Sequence, residues 1–142
     1  MNWNWKEEGF KYSPSQLVTS ADLIVYRAWG GHPGRKMGNI NRAGVCFSLD
    51  KVSTRWEAEQ LYSVLEYGNS VFYLTEFKLK KGTPVWLGNV DPGDPRALLG
   101  KEYGSQVFIE RIHLYKIVEG KTIKLKDDLS PFTVLSGNNV TH

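Results

Sequence analysis

Between Ser70 and Lys80 the chain alternates well: Val71, Tyr73, Thr75, Phe77 and Leu79 fall on one side, Phe72, Leu74, Glu76 and Lys78 on the other. A period of two belongs to a strand, since successive helical side chains turn through about 100° and would scatter these residues around the axis. The same reasoning marks Asp22 to Trp29, Val45 to Leu49, Thr83 to Val90 and Tyr103 to Ile112 as strands. Lys80-Lys81-Gly82 reads as a turn, and Ser13-Pro14-Ser15 as a turn or the start of a short helix. Near the end, Leu114 to Val118 and Thr122 to Leu125 read as a hairpin turning through Glu119-Gly120-Lys121. One segment has helical spacing: Ala58, Leu61, Tyr62 and Leu65 recur at i, i+3, i+4 and i+7, with Asp50 or Ser53 as the N-cap and Gly68 as the stop. The expected class is α+β, mostly antiparallel, with one main helix.

Length and composition narrow the function classes. A chain of 142 residues reads as one domain, its core spanning about 22–126 between a polar N-terminal segment and a polar tail. A net charge of +3 is too small to imply nucleic acid on its own. The single cysteine, Cys46, excludes an internal disulfide and supplies no zinc ligand set, so no metal is expected. No apolar run reaches the roughly 18 residues of a membrane span, and Met1 to Glu8 lacks a signal-peptide core. The expectation is a soluble protein made in a cytoplasm, with delivery into a target cell left open.

Chemistry is concentrated at one corner. The strand through Val25 and Tyr26 carries Arg27 among apolar neighbours, and guanidinium is seldom buried without a partner. From Gly30 to Gly44, both included, the chain has five glycines and the cations Arg35, Lys36 and Arg42. Backbone N–H groups in such a loop approach an anion closely, and the cations add charge. The loop has neither the Walker spacing nor the dinucleotide GxGxxG pattern. The next strand ends in Ser48, and a later one carries Gln106 and Glu110 on one face, about 13 Å apart. His32, His113 and His142 form no nucleophile–base set with these residues.

The order Tyr26-Arg27, then Cys46-Phe47-Ser48 before a helix, then Ser105-Gln106-Val107-Phe108-Ile109 resembles the small ADP-ribosyltransferase fold, over roughly 22–118. The likeness is to its Arg–Ser–Glu toxin and ectoenzyme branch, and implies antiparallel sheets around a cleft that takes NAD as substrate. It implies that Arg27 binds the phosphate or ribose side, that Ser48 orients the nicotinamide half, and that Gln106 stands where the family has its glutamate. Tyr26, Trp29 and Phe47 are then available to stack on nicotinamide or adenine. An amide brings no negative charge to a developing cation, a difference worth about two to three orders of magnitude in rate. Glu110, with Glu102 second, is the residue expected to supply that charge.

The chain also resembles the RES-type NAD-degrading toxins around Tyr26-Arg27 and Asn41-Arg42-Ala43-Gly44. That likeness implies an acidic residue from the helix, Glu57 or Glu59, and adds Arg42 as a phosphate ligand. The leading expectation is an enzyme that cleaves the nicotinamide–ribose bond of NAD and transfers ADP-ribose to a macromolecule, foremost a protein, as an effector, toxin or phage-type modifying protein. Hydrolysis of NAD without transfer is the alternative within the enzyme class. A non-catalytic β-rich module gripping an anionic partner through the basic loop is the alternative outside it. An inhibitor partner is a further expectation.

Overall fold

A computed structural model describes residues 4–5, 10–30, 43–62, 71–89 and 104–128, with side chains throughout except at 59–62. Seven strands lie in chain order: β1 (Ser15–Val18), β2 (Leu23–Trp29), β3 (Gly44–Ser48), β4 (Tyr73–Leu79), β5 (Pro84–Asn89), β6 (Ser105–Glu110) and β7 (Ile117–Lys124). They form one sheet in the order β1-β5-β6-β3-β2-β4-β7, every pairing antiparallel. Helix α1 (Arg55–Tyr62) follows β3, and a 3₁₀ helix (Arg111–Lys116) joins β6 to β7.

This architecture overturns the expected α+β class with sheets around a cleft and one main helix. Among the described residues the fold is a single seven-stranded antiparallel sheet with two short helices of eight and six residues. β6 pairs with both β3 and β5, which unites strands that local patterning cannot assign to a common sheet. Leu65 and Gly68, on which a longer helix was expected, lie outside the described residues.

Alternation sorts the side chains as a strand requires. One face carries the larger core of Val25, Val45, Phe47, Phe77, Leu79, Val85, Val107 and Ile109, with Leu114 and Ile117 packed against it. Each of these buried side chains contributes roughly 1.5–3 kcal/mol, so this face dominates stability. The other face, at β2 and β4, is covered from the helix side: Val52, Ala58, Val71, Leu74 and Leu125 form a second cluster that Tyr26 and Ala28 join.

The start of α1 is fixed by a capping box, with Thr54 rather than Asp50 or Ser53 as the cap. Glu57 N–H donates to Thr54 Oγ1 at 3.0 Å, and Thr54 N–H donates back to Glu57 Oε1 at 3.2 Å. Ser53 adds two further bonds to the same carboxylate oxygen. Arg55 pairs with Asp127 at 3.0 Å, but Asp127 is 77% exposed, which limits the pair to about 0–1 kcal/mol.

Two local expectations also change. Glu119-Gly120-Lys121 is not a turn, because β7 runs through it as one strand along β4, with a register shift between Thr75 and Phe77. A Cβ on Gly120 would stand 2.9 Å from Glu76 O, so this glycine serves close approach instead of chain reversal. Ser15 opens β1, held by register pairs to β5, where a turn or helix start was expected. The turn at Gly82 is as expected, with φ of 86°.

Candidate functional site

β2 and β3 share a single register pair, Tyr26 with Ser48. Elsewhere the sheet is well laddered: β2 matches β4 over seven pairs, and β3 matches β6 over five. Beyond Tyr26 the two strands part, opening a wedge towards the ends that carry Trp29 and Gly44. Arg27 fills it. Its Nη1 donates to the carbonyl of Cys46 at 2.9 Å, where a regular ladder would place a backbone donor.

Cys46 is also the residue that Gln106 reaches, with Nε2 3.1 Å from Sγ. Arg27 and Gln106, which come from strands on opposite sides of β3, thus converge on one residue. Gln106 is 7% exposed and stands opposite Ser48 on one side and Gly88 on the other. A Cβ on Gly88 would lie 2.8 Å from the ring of Phe10, so the bare glycine lets Phe10 close over this end of β5.

Ser48 is held in a local turn. Its Oγ accepts from Asp50 N–H at 2.9 Å, and Asp50 Oδ2 in turn accepts from Ser105 N–H at 3.0 Å. This ties the end of β3 to the start of β6 and fixes the row Tyr26–Ser48–Gln106 across the sheet. A long 3.5 Å contact joins Ser48 Oγ to Asp50 Oδ2.

Opposite faces of the sheet carry the two halves of the expected site. By alternation Ser48, Gln106, Glu110 and Tyr26 lie on the face that α1 partly covers, whereas Arg27, Trp29 and Phe47 belong to the core face. The guanidinium crosses the wedge as far as the backbone carbonyl of Cys46. Tyr26 packs with the α1 cluster, and Phe47 packs edge-on to Phe77 with centroids 5.3 Å apart, so both rings have structural roles. Glu110 ends β6 opposite Gly44, four residues along the strand from Gln106, and is not brought beside it. Glu57 is engaged in the capping box. Burial would raise its pKa, but the hydrogen bonds from Ser53 and Thr54 together hold it below the ordinary 4.5. Arg42, Glu102 and the side chain of Glu59 lie outside the described residues.

Sequence patterning did not bring the residues around Trp29 together. Trp29 Nε1 donates to Thr75 Oγ1 at 2.7 Å, and Thr75 Oγ1 is 2.8 Å from Thr122 Oγ1. The indole stacks on Tyr73 with centroids 4.8 Å apart and 30° between planes. Two rows therefore cross β2, β4 and β7 on the Arg27 face: Arg27–Thr75–Thr122 and Trp29–Tyr73–Lys124. Tyr73 and Thr75 share a face in the sequence pattern, but only the strand register shows that they neighbour Arg27. Among the described residues no group of three or more His, Cys, Asp or Glu side chains is placed to hold a metal ion.

The fold and the wedge define a mainly antiparallel β protein with an arginine set into a parted strand pair. The fold has a counterpart among solved structures. The structure of Tne2 in complex with Tni2 aligns with a TM-score of 0.57, covering 81% of this chain and 94% of that chain at 11% identity. At that identity the likeness is one of fold. No family model matches the chain, and no curated protein matches it. No helix among the described residues is long and apolar enough to cross a membrane.

Proposed function

We propose that the chain is an NAD-consuming effector that breaks the bond between nicotinamide and ribose. The observation that carries this reading is the convergence on Cys46 of Arg27, at its carbonyl in the β2–β3 wedge, and of Gln106, at its thiol from β6. A guanidinium suits a diphosphate, which it can grip with two parallel N–H donors. With the diphosphate at Arg27, the nicotinamide ribose extends towards β6, where the Gln106 amide hydrogen-bonds its hydroxyls. As nicotinamide leaves with the bonding electron pair, C1′ acquires oxocarbenium character. Water then adds to C1′ and releases a proton, giving ADP-ribose.

Water is favoured as the acceptor by Gly104. Two residues before Gln106, this position is a buried glycine and presents no side chain to hold a macromolecular acceptor. The neutral amide of Gln106 makes the site slower than one with a carboxylate there, by about 10²–10³-fold. An inhibitor protein that binds the chain accords with the fold shared with Tne2, which was solved in complex with Tni2.

The test is nicotinamide release from NAD by the purified protein, with labelled NAD followed into macromolecules in the same reaction. Hydrolysis gives free ADP-ribose and no labelled acceptor; label entering protein would make the chain a transferase. Arg27→Lys keeps the charge but not the planar fork, and should raise KM more than it lowers kcat. Wild-type protein that releases no nicotinamide, or an Arg27→Lys variant with unchanged KM, would overturn the assignment.

A further inference from the structure

We infer that the 3₁₀ helix and the Lys80–Gly82 turn beside it form a membrane-contact surface, which rests reversibly on anionic lipid without crossing it. The helix is clamped at both ends. At its start Arg111 N–H donates to Ala43 O at 2.8 Å. At its finish Lys80 N–H donates to Lys116 O at 3.1 Å, and Lys116 Nζ donates to Gly82 O at 3.2 Å. Between the clamps Leu114 packs against the larger core, whereas Ile112 and Tyr115 are 72% and 75% exposed. Three residues per turn set these two side chains one above the other. They form one apolar ridge, held out in solvent by a fixed backbone.

Cations accompany the ridge. The two segments joined by the clamp, 80–82 and 111–118, carry Lys80, Lys81, Arg111 and Lys116 and no carboxylate. Four positive charges therefore gather at one place in a chain whose net charge is +3. Lys80, Lys81 and Arg111 are exposed, and Lys116 Nζ lies 5.7 Å from the centroid of the Tyr115 ring. The acids bordering these segments are Glu110, Glu119 and Asp22, whose Oδ1 accepts from Lys81 N–H at 2.9 Å. This charge complements anionic headgroups, and the long stems place it among them while Ile112 and Tyr115 enter the boundary with the acyl chains. A stable protein partner would bury about 800 Å² on this side, far more than a two-residue ridge offers, whereas a lipid surface needs only shallow insertion.

Cosedimentation of the full chain with phosphatidylcholine vesicles, with and without about 30% phosphatidylserine, tests the inference. The wild type should bind the anionic vesicles and leave the neutral ones, and added salt should weaken that binding. Replacing both Lys80→Gln and Lys81→Gln should lower partitioning by about 20-fold, at about fivefold for each charge. Replacing both Ile112→Ser and Tyr115→Ser should lower it by about tenfold or more, and Tyr115→Trp should retain it. All four positions are exposed, so the core is left intact, which unchanged circular dichroism would verify. Absence of wild-type binding to the anionic vesicles would overturn the inference, as would binding that the two serines leave unchanged. Soluble polyglutamate serves as the second probe. Binding of polyglutamate but not of anionic vesicles, lost in the Lys80→Gln, Lys81→Gln variant, would also overturn it and assign the surface to an acidic protein.

Discussion

Replacing Thr75 by Val removes one oxygen from the place where Trp29 is anchored, and the cost follows from burial. Thr75 is wholly buried and Trp29 is 8% exposed, so the indole N–H that donates to Thr75 Oγ1 cannot regain water without moving the ring. A buried donor deprived of its acceptor costs about 1–3 kcal/mol. Part of that is offset, because valine buries a methyl group in place of a hydroxyl of nearly the same shape. Thr122, the other partner, is exposed and rehydrates. The net expectation is a loss of about 1–2 kcal/mol, or roughly 3–8 °C in Tm for a chain of this size. Thermal unfolding followed by tryptophan fluorescence and far-UV circular dichroism gives the single-variant value. A double-mutant cycle with Trp29→Phe isolates the bond, since phenylalanine has no N–H to strand. In the Trp29→Phe background Thr75→Val should cost close to nothing, leaving a coupling of about 1 kcal/mol. Equal cost in both backgrounds would refute the reasoning, and Thr75 would then matter through packing alone.

Two further outcomes are expected. Because Glu57 has a pKa below the ordinary 4.5 in the folded state, its stabilising effect is present above that value and is lost as pH falls through the lowered one. The difference in Tm between wild type and Glu57→Gln should therefore be positive at neutral pH and shrink below about pH 4.5; a pH-independent difference would remove the charge from the account. Gly44→Ala would drive a methyl group into Ile109 O and to within 2.7 Å of the Phe108 ring, where ladder spacing leaves the backbone little room to yield. It should lower stability by about 2–3 kcal/mol in urea unfolding, and a midpoint shift below a third of that would mean β3 moves aside.

What the sequence disclosed was local. The period-two runs gave β2, β3, β4, β5 and β6 within a few residues, and alternation placed Val25 and Arg27 on one face and Tyr26 and Ala28 on the other. These follow from neighbouring side chains alone. The assembly does not, because whether β6 pairs with β3, β5 or both is decided by contacts far apart in the chain, and that pairing turned expected sheets around a cleft into a single sheet. Gly120 shows a second limit: glycine at a turn and glycine at a close backbone approach look alike in sequence. Arg27 and Gln106 could be picked out as candidates from the sequence, but not their shared hold on Cys46, which depends on which strands pair and where two of them part. Tyr73 and Thr75 showed in the sequence only as sharing one face of their strand; that they, with Thr122 and Lys124, neighbour Arg27 is decided by register.

The one-pair junction between β2 and β3 has a mechanical consequence. A sheet carries load through its ladder, and here one flank of four strands and another of three are riveted at a single point. Strain applied to either flank collects on that line while each flank keeps its own shape. The line of least stiffness is therefore also the line into which Arg27 is set. Anything that clasps both flanks sets the width of the gap without touching a residue inside it.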